Sequence, residues 1–237
     1  MIIFWRLLLS HLLADFTLQF DVVNRLKRKS VWGMLLHCLT HFVVSATLTW
    51  NSLPETWFTL GPLAVSGWGA LGIMLAAHFA TDELRVYGMK VLHFRDNTLS
   101  FLADQVVHFY VLFMISPVVI NGPDLLLGEK WAAIAAMFVL VTHFTTVLVY
   151  FFEKDMFGKG FPSFDEKYFL IFERLVLWAF FFAAGYWWIP FAAAWVFQLF
   201  YLKRKRIIDL SKVNVWLSVA ITVLLGLWTR FAYYGYL

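Results

Sequence analysis

Cysteine is almost missing from this chain. Cys38 is alone among 237 residues, so no internal disulfide can staple the fold. Charge is scarce as well: 14% of the residues are charged, against about 25% in an average soluble domain. Hydrophobic residues make up 62% and aromatics 20%, and the mean hydropathy is +0.74. A globular core cannot hide so large an apolar share, and lipid is the solvent that would cover it. Internal repeats, low-complexity tracts and heptads are absent. So are a P-loop, a glycine-rich dinucleotide fingerprint, a nucleophile-elbow serine and an H-E-x-x-H pair. The net charge of +4 does not point to nucleic acid, because the basic residues fall in short stretches between apolar runs.

What the chain does have is long apolar runs. A membrane span needs about 20 apolar residues. Eight candidates lie at 2–22, 31–50, 63–83, 99–121, 131–152, 168–186, 189–203 and 214–236. A single kinked helix over 168–203 gives the alternative count of seven. The first stretch is too long for a cleavable signal peptide, contains His11 and Asp15, and lacks a small-residue cleavage site. Basic residues follow alternate spans: Arg25, Lys27, Arg28 and Lys29; Arg85, Lys90 and Arg95; Lys154, Lys159 and Lys167; then Lys203, Arg204, Lys205, Arg206 and Lys212. The positive-inside rule puts these loops in the cytoplasm and both termini on the other side. Trp50, Trp57, Trp131, Trp187 and Trp188 fall near the outer boundaries, where interfacial aromatics belong. The expected fold is all-α, a polytopic transmembrane bundle of about eight helices. Residues 1–121 form a four-helix part that bears the polar residues, and 122–237 add four more helices to the same membrane domain.

The polar residues inside those runs carry the functional reading. His11, Asp15 and Gln19 repeat every four residues, as do the pairs His37/His41, His78/Asp82 and Asp104/His108, with Gln105 beside the last. Residues four apart share a helix face. At about 1.5 Å per residue, the predicted orientation puts nearly all of them at one depth, about 2–16 Å below the cytoplasmic surface. Ionisable groups at membrane depth mark sites or pathways. Imidazole and carboxylate together make the ligand set of zinc, manganese or iron, and bundles build such centres from facing helices. The candidate ligands are His11, Asp15, His37, His41, His78, Asp82, Asp104 and His108, enough for one ion or two. All but Asp82 are also candidate catalytic acids and bases. Gln19, Asp82 and Gln105 are expected to orient the ligands, and Gln19, Gln105 and Arg174 to bind substrate, with Arg174 on its phosphate. His143 and His93 read as structural. Glu173 and Arg174 are neighbours on a helix and point apart.

The motifs H-L-L-A-D-F-T-L-Q, H-C-L-T-H-F, H-F-A-T-D and D-Q-V-V-H, in this order over the first 110 residues or so, resemble an uncharacterised family of small bacterial inner-membrane proteins. That family is classed only as a domain of unknown function. The resemblance implies an inner-membrane location and carries over the positions His11, Asp15, Gln19, His37, His41, His78, Asp82, Asp104, Gln105 and His108. The pattern is also loosely similar to predicted membrane-bound metal-dependent hydrolases. The expected function is a metal-dependent hydrolase or transferase for a lipid or lipid-linked phosphate, with zinc or manganese as cofactor. The alternatives are a proton or metal-ion transporter, and a non-catalytic membrane effector or scaffold. Expected partners are membrane lipid and a second copy of the chain, without nucleic acid.

Overall fold

The computed structural model describes residues 2–19, 21–117, 127–205 and 211–236. It is all-α apart from one small hairpin, and the chain divides into two compact units, Met1–Ala136 and Met137–Leu237.

In the first unit, α1 (Ile2–Leu12) runs into a π-helical turn, Leu13–Thr17, and a short basic helix follows, α2 (Asp21–Lys29). Helix α3 (Val31–Thr49) starts at Ser30, whose hydroxyl accepts the Gly33 amide at 3.1 Å. A side-chain oxygen at this position satisfies one of the amides that a helix start leaves unpaired. A two-stranded antiparallel hairpin, β1 (Thr56–Leu60) and β2 (Leu63–Ser66), turns at Gly61 with φ of +59°. Helix α4 (Gly67–Lys90) is capped by Ser66 and α5 (Thr98–Ile115) by Asn97. Helices α1, α3, α4 and α5 pack as neighbours, and α2 lies against α3. The α2–α3 approach requires glycine: a Cβ on Gly33 would fall 2.2 Å from the Leu26 carbonyl.

Helix α6 (Glu129–Val139) contains the unit boundary. The second unit holds another π turn, Leu140–Phe144, then α7 (Thr145–Phe157), α8 (Phe164–Ala179), α9 (Trp188–Arg204) and α10 (Lys212–Tyr234). Helix α10 packs on α7 and α8. Gly226 of α10 admits the Phe181 ring, which would lie 2.4 Å from a Cβ there.

Helix occupies each of the eight apolar stretches, with a break at Ala183–Trp187 between α8 and α9. Four helical stretches are long and apolar enough to cross a membrane: Val31–Ser52, Thr98–Ile115, Glu129–Phe157 and Lys212–Tyr234. Three local expectations change. The basic stretch 25–29, read as loop, is helical. Residues 63–66, read as the start of a span, form β2. Helix α4 continues past residue 83, the expected end of the third span, to Lys90. The end of the fourth predicted span, the loop after it as far as residue 126 and the Arg206 part of the basic run lie outside the described residues.

The outward faces are apolar. Leu35, Leu39 and Val43 on α3, Val106, Tyr110 and Phe113 on α5, and Phe197 on α9 are all exposed. The polar side chains turn inward instead. Ser10 of α1 shares a 2.7 Å hydrogen bond with Ser45 of α3. Bonds of this kind tie helices together where lipid gives no hydrophobic drive for packing.

Candidate metal centre

Four helices of the first unit each contribute polar side chains to one buried cluster. The π turn after α1 carries Asp15, with Oδ2 at 3.3 Å from His11 Nε2. Helix α3 contributes His37 and His41, which lie one turn apart with ring centroids separated by 4.7 Å. Helix α4 contributes His78 and Asp82, 3.3 Å apart from Nε2 to Oδ2. From α5 come Asp104, Gln105 and His108. The five histidines of this cluster are at most 4% exposed.

Asp15 Oδ1 stands 3.1 Å from His37 Nε2 and 3.2 Å from His41 Nε2. His37 Nε2 is also 3.1 Å from His78 Nε2 and 3.4 Å from Asp82 Oδ2. Imidazole nitrogens at about 2.0–2.1 Å from a tetrahedral zinc are about 3.3–3.4 Å from one another. The observed separations are of that size. Two groupings offer one ligand atom per residue, all within 4.8 Å of one another: Asp15 with His37, His41 and His78, and His78 with Asp82 and His108. His78 belongs to both.

Hydrogen bonding alone does not account for this arrangement. A carboxylate only accepts, and an imidazole nitrogen carries at most one proton. His37 Nε2 therefore cannot donate to Asp15, Asp82 and His78 at once. Both ring nitrogens of His108 are buried and lack a hydrogen-bond partner. The fixed cations are distributed unevenly. Lys27 of α2 places Nζ 2.7 Å from Asp82 Oδ2, and Arg85 of α4 donates to Asp104 Oδ2 at 3.1 Å and Asp96 Oδ1 at 2.8 Å. Asp15, among the described residues, faces imidazoles and has no lysine or arginine within salt-bridge distance. A buried carboxylate needs a cation, and three imidazoles around one carboxylate are a donor set that fits a divalent transition metal.

The remaining predicted residues fall around this core. His11 bonds Asp15 and lies 3.4 Å from Gln105 Oε1, which places it beside the first grouping rather than in it. Asp104 accepts from Arg85 and from Gln105 Nε2, both at 3.1 Å, and belongs to neither grouping. Gln105 therefore bridges His11 and Asp104 as an orienting residue. Gln19 is half-buried past the π turn and makes none of the cluster's contacts among the described residues. Arg174 is buried in the second unit, where Nη2 donates to the Thr142 carbonyl and the Thr146 hydroxyl. His143 shares a 3.0 Å bond with Thr142 Oγ1, and His93 sits in the irregular stretch after α4.

Lys27 and Arg85 are the residues that the sequence reading missed. Both were assigned to topology. The signal for Lys27 was present: it follows Val23 by four residues, on the face that α2 turns inward. Arg85 lies one turn beyond Asp82 on a helix that does not stop at residue 83.

The chain is thus a helical protein with a buried histidine–aspartate cluster that can hold a metal ion. It belongs to a family of proteins of unknown function, DUF3307, whose model matches residues 3–134. The match spans α1 to α5 and the first turns of α6, and so includes every residue of the cluster. No curated protein and no solved structure matches the chain.

Proposed function

We propose that this chain is an integral inner-membrane protein of about eight spans, and that its first unit holds zinc or manganese for hydrolysis or group transfer on a lipid-linked phosphate. One observation carries the reading: Asp15, His37, His41 and His78 converge, and among the described residues no lysine or arginine lies within salt-bridge distance of Asp15. When bound, the ion supplies a Lewis acid and lowers the pKa of water held on it. The protein's own residues do the rest. Gln105 and Asp104 orient His11 and His108, Arg85 fixes Asp104, and Lys27 adds positive charge beside Asp82, where an anionic substrate is favoured. The apolar outward faces of α3, α5 and α9 support placement in lipid.

The imidazole stack is the feature a proton pathway would use, with ring centroids 3.9 Å apart between His41 and His78 and 4.3 Å between His78 and His108. Elemental analysis of the full chain, purified in detergent from zinc- and manganese-supplemented cells, separates the two. The metal reading expects one equivalent or more, lost in the His41→Ala/His78→Ala double variant. Protein that stays metal-free, with proton flux in proteoliposomes that Asp15→Asn abolishes, overturns it. Release of phosphate from lipid-linked phosphoesters by the metal-loaded protein tests the reaction class.

A further inference from the structure

The two ligand groupings are not equally placed to take an ion. Asp15 faces imidazoles, and among the described residues no lysine or arginine lies within salt-bridge distance of it. Asp82 already has a cation. Lys27 Nζ lies 2.7 Å from its Oδ2, and the two side chains are 14% and 3% exposed. The same oxygen faces the histidines, at 3.3 Å from His78 Nε2 and 3.4 Å from His37 Nε2. An ammonium and a metal ion therefore compete for one atom.

The backbone holds the ammonium there. Gly33 lets α2 approach α3 so closely that a Cβ would fall 2.2 Å from the Leu26 carbonyl, one residue before Lys27. Lys27 also lies 3.3 Å from His37 Nε2, and Arg28 ties the next position to Asp96 at 3.5 Å.

Lys27 answers only the acidic end of the second grouping. At the other end, His108 Nδ1 is 3.8 Å from Asp104 Oδ2, too far for a hydrogen bond, and among the described residues neither ring nitrogen has a hydrogen-bond partner. The side chains suffice for two ions. A catalytic zinc takes three protein ligands and a water, and the cluster divides into Asp15, His37 and His41 on one side and His78, Asp82 and His108 on the other. The charges do not suffice. Arg85 serves Asp96 and Asp104, and Lys27 serves Asp82, which leaves Asp15 for a divalent ion. A second ion beside the ammonium would set like charges together in a buried site, where water screens them little.

We propose that Lys27 stands in place of a second metal ion, so that the centre consists of one divalent ion and one built-in ammonium. The proposal rests on the metal reading above and deepens it. Two-metal sites clamp a phosphate between two cations, and here one of the two belongs to the chain.

Metal titration of the full chain in detergent, read by native mass spectrometry and by electron paramagnetic resonance of manganese-loaded protein, tests it. Wild type takes one ion and gives the spectrum of an isolated manganese. Lys27→Met takes two and gives a spin-coupled pair. Its second ion binds at least about tenfold more tightly than any second ion in the wild type, the scale of one charged hydrogen bond removed. Lys27→Met/His108→Ala returns to one ion. A merely structural lysine would leave the count at one or lower it. If Lys27→Met does not fold, Lys27→Gln takes its place, without the charge but still polar beside Asp82. One ion in wild type and variant alike overturns the proposal and leaves the metal reading standing, and so does a coupled pair in the wild type. A second ion that survives the loss of His108 also overturns it, because that ion lies outside the grouping. Wild type and variant that both stay metal-free overturn the two readings together.

Discussion

Lys27 Nζ stands 2.7 Å from Asp82 Oδ2 and 3.3 Å from His37 Nε2, so a short basic helix inserts one ammonium into the histidine cluster. The ion pair is shielded on both sides. Removing one partner of a buried pair costs about 3 kcal/mol or more, because the other charge is left uncompensated. Lys27→Met is therefore expected to lower stability strongly in chelator. Added zinc should shrink the deficit, since a divalent ion near His37 and His78 also neutralises Asp82. Thermal unfolding with and without metal measures both effects. A deficit that zinc leaves unchanged would separate Lys27 from the metal centre.

Arg85 joins Asp96 to Asp104 across the end of α4 and the start of α5. Arg85→Met should cost about 1.5–3 kcal/mol per lost charged hydrogen bond at most, and less here because the side chain is one-fifth exposed. Metal stoichiometry should hold, because Asp104 lies outside both ligand groupings. Loss of the metal in Arg85→Met would make Asp104 a ligand.

Arg230 closes the break between α8 and α9. It is 1% exposed and donates to the carbonyls of Phe181, Ala183 and Gly185, with Tyr234 and Trp188 stacked nearby. Arg230→Met leaves three inward carbonyls without donors, and should lose about 3 kcal/mol or more. Arg230→Lys cannot reach all three and should recover less than half. Reversible unfolding in mixed micelles gives the numbers. A change under about 0.5 kcal/mol, the size of an ordinary surface substitution, would show that the break holds itself.

The start of α8 gives a pH dependence. The amide and hydroxyl of Ser163 both donate to Glu166 Oε2 at 2.9 Å, which holds that carboxyl below the usual glutamate value. A lowered native value means stability that is complete above about pH 4.3, the ordinary glutamate pKa, and fades as pH falls through the native one. Ser163→Ala should cost about 1 kcal/mol at pH 7, and the gap to wild type should narrow at pH 3. Matched denaturation curves at the two values check it. An unchanged gap would assign the cap to the hydroxyl alone.

Helical periodicity made much of this arrangement legible. His37 and His41, or His78 and Asp82, must share a face once the segment is helical, and the apolar runs mark the helices. What periodicity cannot tell is which neighbour answers each face. Arg174 reads as a substrate ligand in the same way that Asp104 reads as a metal ligand, yet Arg174 is buried against Thr142 and Thr146, and Asp104 against Arg85. Lys27 was hidden by its company. Four basic residues in a row of five look like a topology signal, and only the inward turn of α2 sets one of them apart. The hairpin was missed because Leu63–Ser66 is as apolar as a span and was counted into one.

The two π turns, at Leu13–Thr17 and Leu140–Phe144, have a consequence for how this chain tolerates change. Each holds one residue more than an α-turn would, next to a polar cluster. The helix upstream can keep its seat (Ser10 against Ser45, for instance) while the side chains downstream are aimed separately. Deleting a single residue there would restore a regular helix and swing everything beyond it by about 100°, carrying Asp15 away from His37 in one unit and Thr146 away from Arg174 in the other.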